Sequence, residues 1–321
     1  MKLLVTGGAG FIGSNFVRLA AESHLDKIDS VIVLDKLTYA GNFTSIKSAL
    51  STGGFEFIHG DICDETLLGK LVNRVDAIIN FAAESHVDRS ILNSTDFFKT
   101  NVTGVKVLLD AIKNCKRPIR FVQVSTDEVY GSIDAGSWDE KFLLQPNSPY
   151  SASKASADLL VRAYNKTFGL DVVTTRCSNN YGPYQFPEKI IPLFVTNLIE
   201  GKRIPLYGTG ANIRDWLHVE DHCFGLYAAL TKGLSGEIYN IGGGKEISNY
   251  EMTCLILELM GKDTSFINSV EDRKGHDFRY SLNWDKIKNN LGYSPRVSFQ
   301  SGIKATIEWY ESNYSWWKPL K

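Results

Sequence analysis

The chain has 321 residues, with 35 Lys and Arg against 36 Asp and Glu and 6 His, for a formal net charge of −1. That balance excludes a nucleic-acid coat or a membrane-surface binder, which would carry a basic excess. A composition of 43 % hydrophobic and 22 % charged residues excludes disorder for the bulk of the chain, and the length allows one large domain or two modest ones around a full core.

In chain order, the apolar run Met1–Thr6 meets Gly7 instead of extending into a signal-peptide core, so it reads as a first strand. Strands are predicted over residues 3–6, 31–35, 55–59, 77–82, 121–125 and 172–176, with helices between them that include 12–23, 97–115 and 151–168. This βαβ alternation predicts a Rossmann-type, doubly wound parallel sheet with right-handed crossovers, an α/β fold. From about Asn179 the texture changes, as Pro183, Pro187, Pro192 and Pro205 and several aromatics interrupt the alternation and begin a smaller lobe. A strand over 237–241, followed by Gly242-Gly243-Gly244, is expected to rejoin the sheet. The expected division is therefore interleaved: 1–178 plus about 215–242 as the nucleotide-binding domain, and about 179–214 plus 243–321 as a substrate-binding α/β lobe. No stretch approaches the ~20 apolar residues of a membrane span. The scattered Cys63, Cys115, Cys177, Cys223 and Cys254 form no Cys-x-x-Cys pair, which points to a reduced, cytoplasmic chain.

The first strand runs into Gly7-Gly8-Ala9-Gly10-Phe11-Ile12-Gly13. Glycines here allow a tight turn and close approach of a pyrophosphate to the amides of a helix N-terminus. The run fits both G-x-G-x-x-G from Gly8 and G-x-x-G-x-x-G from Gly7, and spacing does not choose between them. Asp35, at the end of the second strand, is placed to accept hydrogen bonds from adenosine ribose hydroxyls and to repel a 2′-phosphate, which favours NAD over NADP, with Lys36 beside it. Asp61-Ile62 is a candidate for gripping adenine.

Tyr150 and Lys154 lie four apart, on one helix face. The lysine charge lowers the tyrosine pKa so that a phenolate can take a hydroxyl proton. Tyr314 and Lys318 repeat the spacing among bulky residues and are assigned to packing. The fifth strand ends in Thr126-Asp127-Glu128, where Thr126 can bond a substrate hydroxyl. Two adjacent carboxyls at a strand end each raise the other's pKa, and one protonated and one ionised carboxyl make a general acid and a general base. His218 and His222 have ligand-like spacing, but the sequence between them is not that of a zinc motif and no third ligand is evident, so no metal is expected.

These motifs resemble the extended short-chain dehydrogenase/reductase superfamily. Within it, residues 37–42 (Leu-Thr-Tyr-Ala-Gly-Asn), 82–90, Thr126-Asp127-Glu128, 176–183, 186–189, 213–217 and Gly275-His276-Asp277 with Arg279-Tyr280 resemble the dTDP-glucose 4,6-dehydratase family, from residue 1 to about Trp317. The resemblance implies a hydro-lyase with a retained NAD that makes a 4-keto-6-deoxy sugar nucleotide, a precursor of deoxysugars such as dTDP-rhamnose. Tyr150 would take the C4 hydroxyl proton with Thr126 and Lys154 assisting, Glu128 would remove the C5 proton, and Asp127 would protonate the leaving C6 hydroxyl.

For NAD, the glycine motif (Gly7, Gly10, Gly13) is joined by Phe11, Ile12, Asp35, Lys36, Leu37, Thr38, Asp61, Ile62, Ala82, Ala83, Ser85, Thr100, Tyr150, Lys154 and Asn180. For the sugar nucleotide the resemblance implies His86, Thr126, Asn179, Lys189, Ile190, Pro205, Tyr207, Arg214, Asn249, Arg273 and His276. Arg214 suits a diphosphate by its fork geometry, and Arg279 is a second candidate cation. Lys274 and Phe278 stand where the family usually has proline and arginine. A 4-epimerase or decarboxylase of the same superfamily would not need Asp127-Glu128, and intact Tyr150 and Lys154 speak against an NAD-binding regulator without turnover. UDP-glucose remains open as a substrate, since one methyl separates uracil from thymine. A homodimer through the helices over 97–115 and 151–168 is expected by the same likeness.

Overall fold

Strands that are apolar on both faces need a layer of helices above and below them. In the computed structural model, which describes residues 1–321, twelve strands form: β1 (Lys2–Thr6), β2 (Ser30–Asp35), β3 (Phe55–His59), β4 (Ala77–Asn80), β5 (Arg120–Thr126), β6 (Val172–Cys177), β7 (Asn179–Tyr181), β8 (Ile204–Tyr207), β9 (Ile213–His218), β10 (Ile238–Ile241), β11 (Glu246–Ser248) and β12 (Ile267–Val270). Seven of them make a parallel sheet in the order β10-β6-β5-β4-β1-β2-β3. The expected doubly wound sheet is present, including the late strand that rejoins it beside β6, with Ile238 opposite Thr174.

Alternation along β1 divides the core. Leu3 and Val5 pack with Phe16, Val33 and Leu226 on one face of the sheet, and Leu4 packs with Ile78, Leu108, Phe121 and Val161 on the other. A third cluster holds the smaller lobe together around Tyr181, Phe194, Trp216, Ile256, Tyr310 and Trp317. Trp317 is fully buried there, its neighbour Tyr314 packs edge-on at 4.7 Å, and Lys318 pairs with Glu200. The second Tyr/Lys spacing is thus packing.

Three features differ from expectation. β9 lies in a small sheet between β11 and β7, so the chain re-enters the large domain only at the helix Val219–Lys232. The helix Asp285–Leu291 also returns, and Ile287, Leu291 and Tyr293 join the large domain's core. The helix expected over 97–115 is broken into Thr95–Phe98, a π-helical turn over Lys99–Gly104, and Val105–Asn114. A Cβ on Gly104 would come within 2.4 Å of Ile62 Cδ1, so this turn is pressed against the loop after β3.

Candidate active site

Between β1 and β4 the winding reverses, and the carboxyl ends of the strands on either side open a crevice. The cleft at that point measures about 1600 Å³ with its open mouth. Its floor is the β1 turn. Gly7 has φ +68°, and a Cβ there would lie 2.5 Å from the Ala82 nitrogen. A Cβ on Gly13 would lie 2.4 Å from the Gly7 carbonyl oxygen. Gly8 instead faces Val33, 2.6 Å from a Cβ placed on it, and of the four motif glycines Gly7, Gly10 and Gly13 line the cleft while Gly8 does not. The Gly7 frame of the motif is therefore the operative one. Gly10 caps the helix Phe11–Ala21 without a side chain, which leaves the first-turn amides without an intrahelical or side-chain partner.

Asp35 accepts from the Ala9 amide at 2.9 Å and the Leu37 amide at 2.8 Å, tying the glycine loop to β2, and burial raises its pKa. Lys36 pairs with Asp61 at 2.8 Å across the ends of β2 and β3. Phe11, Ile12, Thr38, Ile62, Ala82, Ala83, Ser85, Thr100 and Asn180 line the same cleft. Leu37 does not. Its backbone turns through φ +52° beside the cleft and its side chain packs on the large core.

The helix Pro149–Phe168 starts on a Ser148/Ser151 capping box with proline in its first turn, which sets its first residues firmly. Tyr150 and Lys154 are 8 % and 5 % exposed, and Lys154 Nζ donates to the Val124 carbonyl at 2.6 Å. β5 ends in a tight turn, Asp127–Tyr130. Thr126 Oγ1 donates to Asp127 Oδ1 at 3.2 Å and accepts from the Glu128 amide at 3.3 Å. These five residues face one cavity.

Their electrostatics separate the two carboxyls. Burial raises Asp127 well above the ordinary carboxylate range, and the charges of Glu128 and Asp215 raise it further. Burial also raises Glu128, but Arg273, Lys189 and Arg214 oppose it. The environment thus favours the proton more strongly on Asp127 than on Glu128, the asymmetry an adjacent acid and base require. Burial lowers the Lys154 pKa, and burial with the neighbouring carboxylates raises Tyr150 well above its ordinary value, offset by the Thr126 hydroxyl.

The residues present fit a dinucleotide. The glycine cradle leaves no room for side chains, and Ser125 Oγ, Ser178 Oγ, Asn179 Oδ1 and Asp127 Oδ2 are buried at the cleft without a protein partner.

Of the residues expected to hold a sugar nucleotide, Asn179 and Lys189 line the cleft with Thr126, and Lys189 donates to the Ser85 carbonyl at 3.0 Å. Asp88 joins Tyr207, at 3.3 Å, to Arg273, at 3.9 Å, and the Tyr207 and His276 rings meet edge-on at 6.4 Å. Arg214 is 4 % exposed, lies over Tyr280 at 4.3 Å and donates to the carbonyls of Ile213, Phe278 and Asp277.

His86 caps the helix Val87–Leu92, and burial holds its pKa down at about 4. Ile190 opens the helix Ile190–Ile199, Pro205 sits in β8 and Asn249 starts the helix Asn249–Leu259. Arg279 is a correction. It forks onto Glu246 at 2.8 and 3.1 Å and donates to the Gly136 carbonyl, so its charge is neutralised outside the cleft. His218 caps the helix Val219–Lys232, and buried His222 bonds Asn180 Oδ1 at 2.9 Å, which gives both histidines structural partners.

One contributor carried no motif, and a second lay in the 186–189 run without being singled out. Asn101, in the π-helical turn, accepts from the Glu84 amide and donates to the Glu84 carbonyl and to Ser153 Oγ, binding the cleft wall to the Tyr150 helix. Glu188 meets Arg89 at 3.2 Å at the rim. An asparagine inside a predicted helix interior is the one signal that pointed to the first.

A doubly wound sheet with this glycine turn after its first strand and a Tyr/Lys pair on the helix after its fifth defines an extended short-chain dehydrogenase/reductase. The family model described as GDP-mannose 4,6 dehydratase matches residues 4–306, and the chain belongs to that family of nucleotide-sugar dehydratases. It is 56 % identical to a dTDP-glucose 4,6-dehydratase of Actinoplanes sp., over 99 % of this chain and 100 % of the relative. DesIV, the dTDP-glucose 4,6-dehydratase of Streptomyces venezuelae, solved with NAD and a thymidine nucleotide, superposes with a TM-score of 0.98 at 55 % identity over the full length of both chains. The UDP-glucuronic acid 4-epimerase of Bacillus cereus, solved with UDP-glucuronic acid and NAD, reaches 0.90 at 29 % identity over 97 % of this chain and 99 % of its own.

Proposed function

We propose that this chain is an NAD-dependent dTDP-glucose 4,6-dehydratase, a hydro-lyase that forms dTDP-4-keto-6-deoxyglucose and water. The observation that carries it is the adjacent pair of buried Asp127 and half-buried Glu128, with burial and like charges raising the first and three cations opposing the rise of the second, in the cavity that Tyr150 and Lys154 also line. An epimerase shares the fold and the Tyr/Lys pair but has no use for an adjacent acid and base.

Bound NAD would take the C4 hydrogen with its electron pair and return it to C6, leaving the cofactor unchanged overall. Gly7, Gly10 and Gly13 would admit its diphosphate, and Asp35 its adenosine ribose. Tyr150, oriented by Thr126, takes the C4 hydroxyl proton as a phenolate; burial and the charges of Glu128 and Asp127 oppose that form in the free site, against the expected lowering by Lys154, and the positive nicotinamide ring of bound NAD would supply the missing stabilisation. With a ketone at C4 the C5 hydrogen becomes acidic, and Glu128 removes it as Asp127 gives its proton to the departing C6 hydroxyl. The proton on Glu128 then returns to C5, and passage of the proton gained by Tyr150 through solvent to Asp127 resets the site, so atoms and charge balance. Lys189, Arg214 and Arg273 supply the positive charge that a diphosphate requires.

The domain division follows the sheet: the Rossmann part carries the cofactor groups and the interleaved lobe brings the cations. Exposed Leu92, Phe98 and Leu159 support a homodimer through the broken helix over 95–114 and the Pro149–Phe168 helix. No helix is long and apolar enough to cross a membrane, and the five cysteines are unpaired, which supports the cytoplasm as its place.

Purified protein incubated with dTDP-glucose and no added NAD tests the reading. A 4-keto-6-deoxy product is expected, while dTDP-galactose would assign an epimerase and no product a non-catalytic protein. UDP-glucose run alongside settles the base, with the thymidine nucleotide expected to be preferred by kcat/KM.

A further inference from the structure

The proposed reaction needs two pairs of groups in one register. Tyr150 and Lys154 ride on a helix, whereas Asp127 and Glu128 ride on the turn after β5, and no hydrogen bond of side chains joins the two pairs directly. A buried chain behind the cleft joins their supports instead. Asp158 lies four residues after Lys154 on the same helix, and its Oδ2 accepts from Arg176 Nε at 2.9 Å. Arg176 Nη1 donates to the Tyr130 hydroxyl at 2.8 Å, and that hydroxyl donates to Asn240 Oδ1 at 2.9 Å. Tyr130 is the last residue of the turn that carries Asp127 and Glu128. Its ring stacks on Trp138 at 5.4 Å, with the Arg176 guanidinium 4.8 Å above it. Asn240, on β10, is held in turn by the carbonyls of Trp138 and Asn283.

Both members of the ion pair are almost wholly buried, with side-chain exposures of 3 % and 2 %. A pair so placed adds little net stability over apolar side chains of equal volume. What it supplies is geometry, because one planar guanidinium holds Asp158 through Nε and the Tyr130 hydroxyl through Nη1 at once. The Asp158 carboxylate also helps Lys154 keep its proton against burial.

We propose that Arg176 is a positioning residue, which through Asp158 and Tyr130 sets the redox helix and the acid–base turn at the separation that lets oxidation at C4 be followed by elimination across C5 and C6. The inference rests on the function proposed above. A displacement of about 1 Å costs on the order of a hundredfold in rate, so a loosened turn slows elimination, which needs both Asp127 and Glu128, more than C4 oxidation, whose base Tyr150 and neighbouring Lys154 stay on the helix.

Tyr130→Phe removes one hydroxyl and neither substrate-facing pair. Its kcat is expected to fall roughly 10–100-fold with KM for dTDP-glucose unchanged, and the fraction of enzyme holding reduced nicotinamide during turnover is expected to rise above that of wild type. If Tyr130→Phe does not fold, Arg176→Lys, which keeps the charge without the guanidinium plane, gives the same readout. A folded variant with wild-type kcat overturns the inference. So does an equal loss of both half-reactions accompanied by a lowered melting temperature, the mark of a purely structural pair. Absence of product from wild type overturns the proposed function, and this inference with it.

Discussion

Replacing Glu128 with glutamine separates the two halves of the proposed reaction because the residue acts with opposite sign on each. The amide keeps the size of the side chain and removes its proton acceptor, and a positioned general base contributes about 10²–10⁴ in rate, or about 3–5 kcal/mol of barrier. Elimination should slow by that factor. On the oxidation side, the Glu128 charge is the largest electrostatic cause of the raised Tyr150 pKa after burial. Removing it eases loss of the phenol proton, so C4 oxidation is kept or becomes faster. Asp127 loses the same repulsion but keeps a raised pKa, since burial is the principal cause of its shift. Lys189, Arg214 and Arg273 are left facing the substrate without that carboxylate, so KM for a diphosphate should fall. Rapid mixing with dTDP-glucose, following reduced nicotinamide by absorbance and keto product by mass spectrometry, reads both halves. The expected result is a full first-turnover rise in reduced cofactor with almost no product. A common fall of both signals, or a product rate within tenfold of wild type, would refute the assignment of Glu128 as the base.

Buried Asp215 has its pKa raised to about 6 by desolvation, against the amide of Lys245 donating to it at 3.0 Å. Its carboxyl binds a proton more tightly in the folded than in the unfolded chain, so the stability it confers is complete below about pH 4 and is lost as pH rises through 6. Asp215→Asn should flatten that limb and gain on the order of 2 kcal/mol over wild type at pH 8 relative to pH 4, as read from urea midpoints at the two pH values, and parallel wild-type and variant curves would contradict it. Leu159, 58 % exposed on the Pro149–Phe168 helix, lies on the face assigned to the homodimer. Leu159→Glu should leave a folded monomer by sedimentation, and an unchanged dimer would move the interface elsewhere.

The large sheet was legible because each of its strands is a short apolar run bounded by polar turns, and the pattern depends only on local sequence. Even the late return of β10 showed itself through its following glycines. The crossing of Asp285–Tyr293 back to the large domain did not, because an amphipathic helix reveals that it has a buried face but not which core receives it. The break over Lys99–Gly104 was hidden for a similar reason: Asn101 turns inward to bond Glu84 and Ser153, residues remote in sequence. Among cations, Arg214 and Arg279 looked equivalent on paper. Their difference lies in Glu246 on β11, which takes up the fork of Arg279, a partner visible only once β11 is laid beside β9. The acid and base were legible as a pair, while the division of roles between Asp127 and Glu128 gains its physical support from the three cations that face one of them.

The late insertion of β10 beside β6 has a consequence for how the chain is made. When residues up to Cys177 have left the ribosome, six of the seven parallel strands are available, but β6 ends the sheet with its outer hydrogen-bonding edge open until Ile238–Ile241 arrives. At 5–20 residues per second that interval lasts roughly 3–13 seconds. Through it the nascent protein carries a bare, apolar sheet edge of the kind that templates pairing with other chains, so the vulnerable moment of its biogenesis falls midway through translation and closes before the C-terminal helices exist.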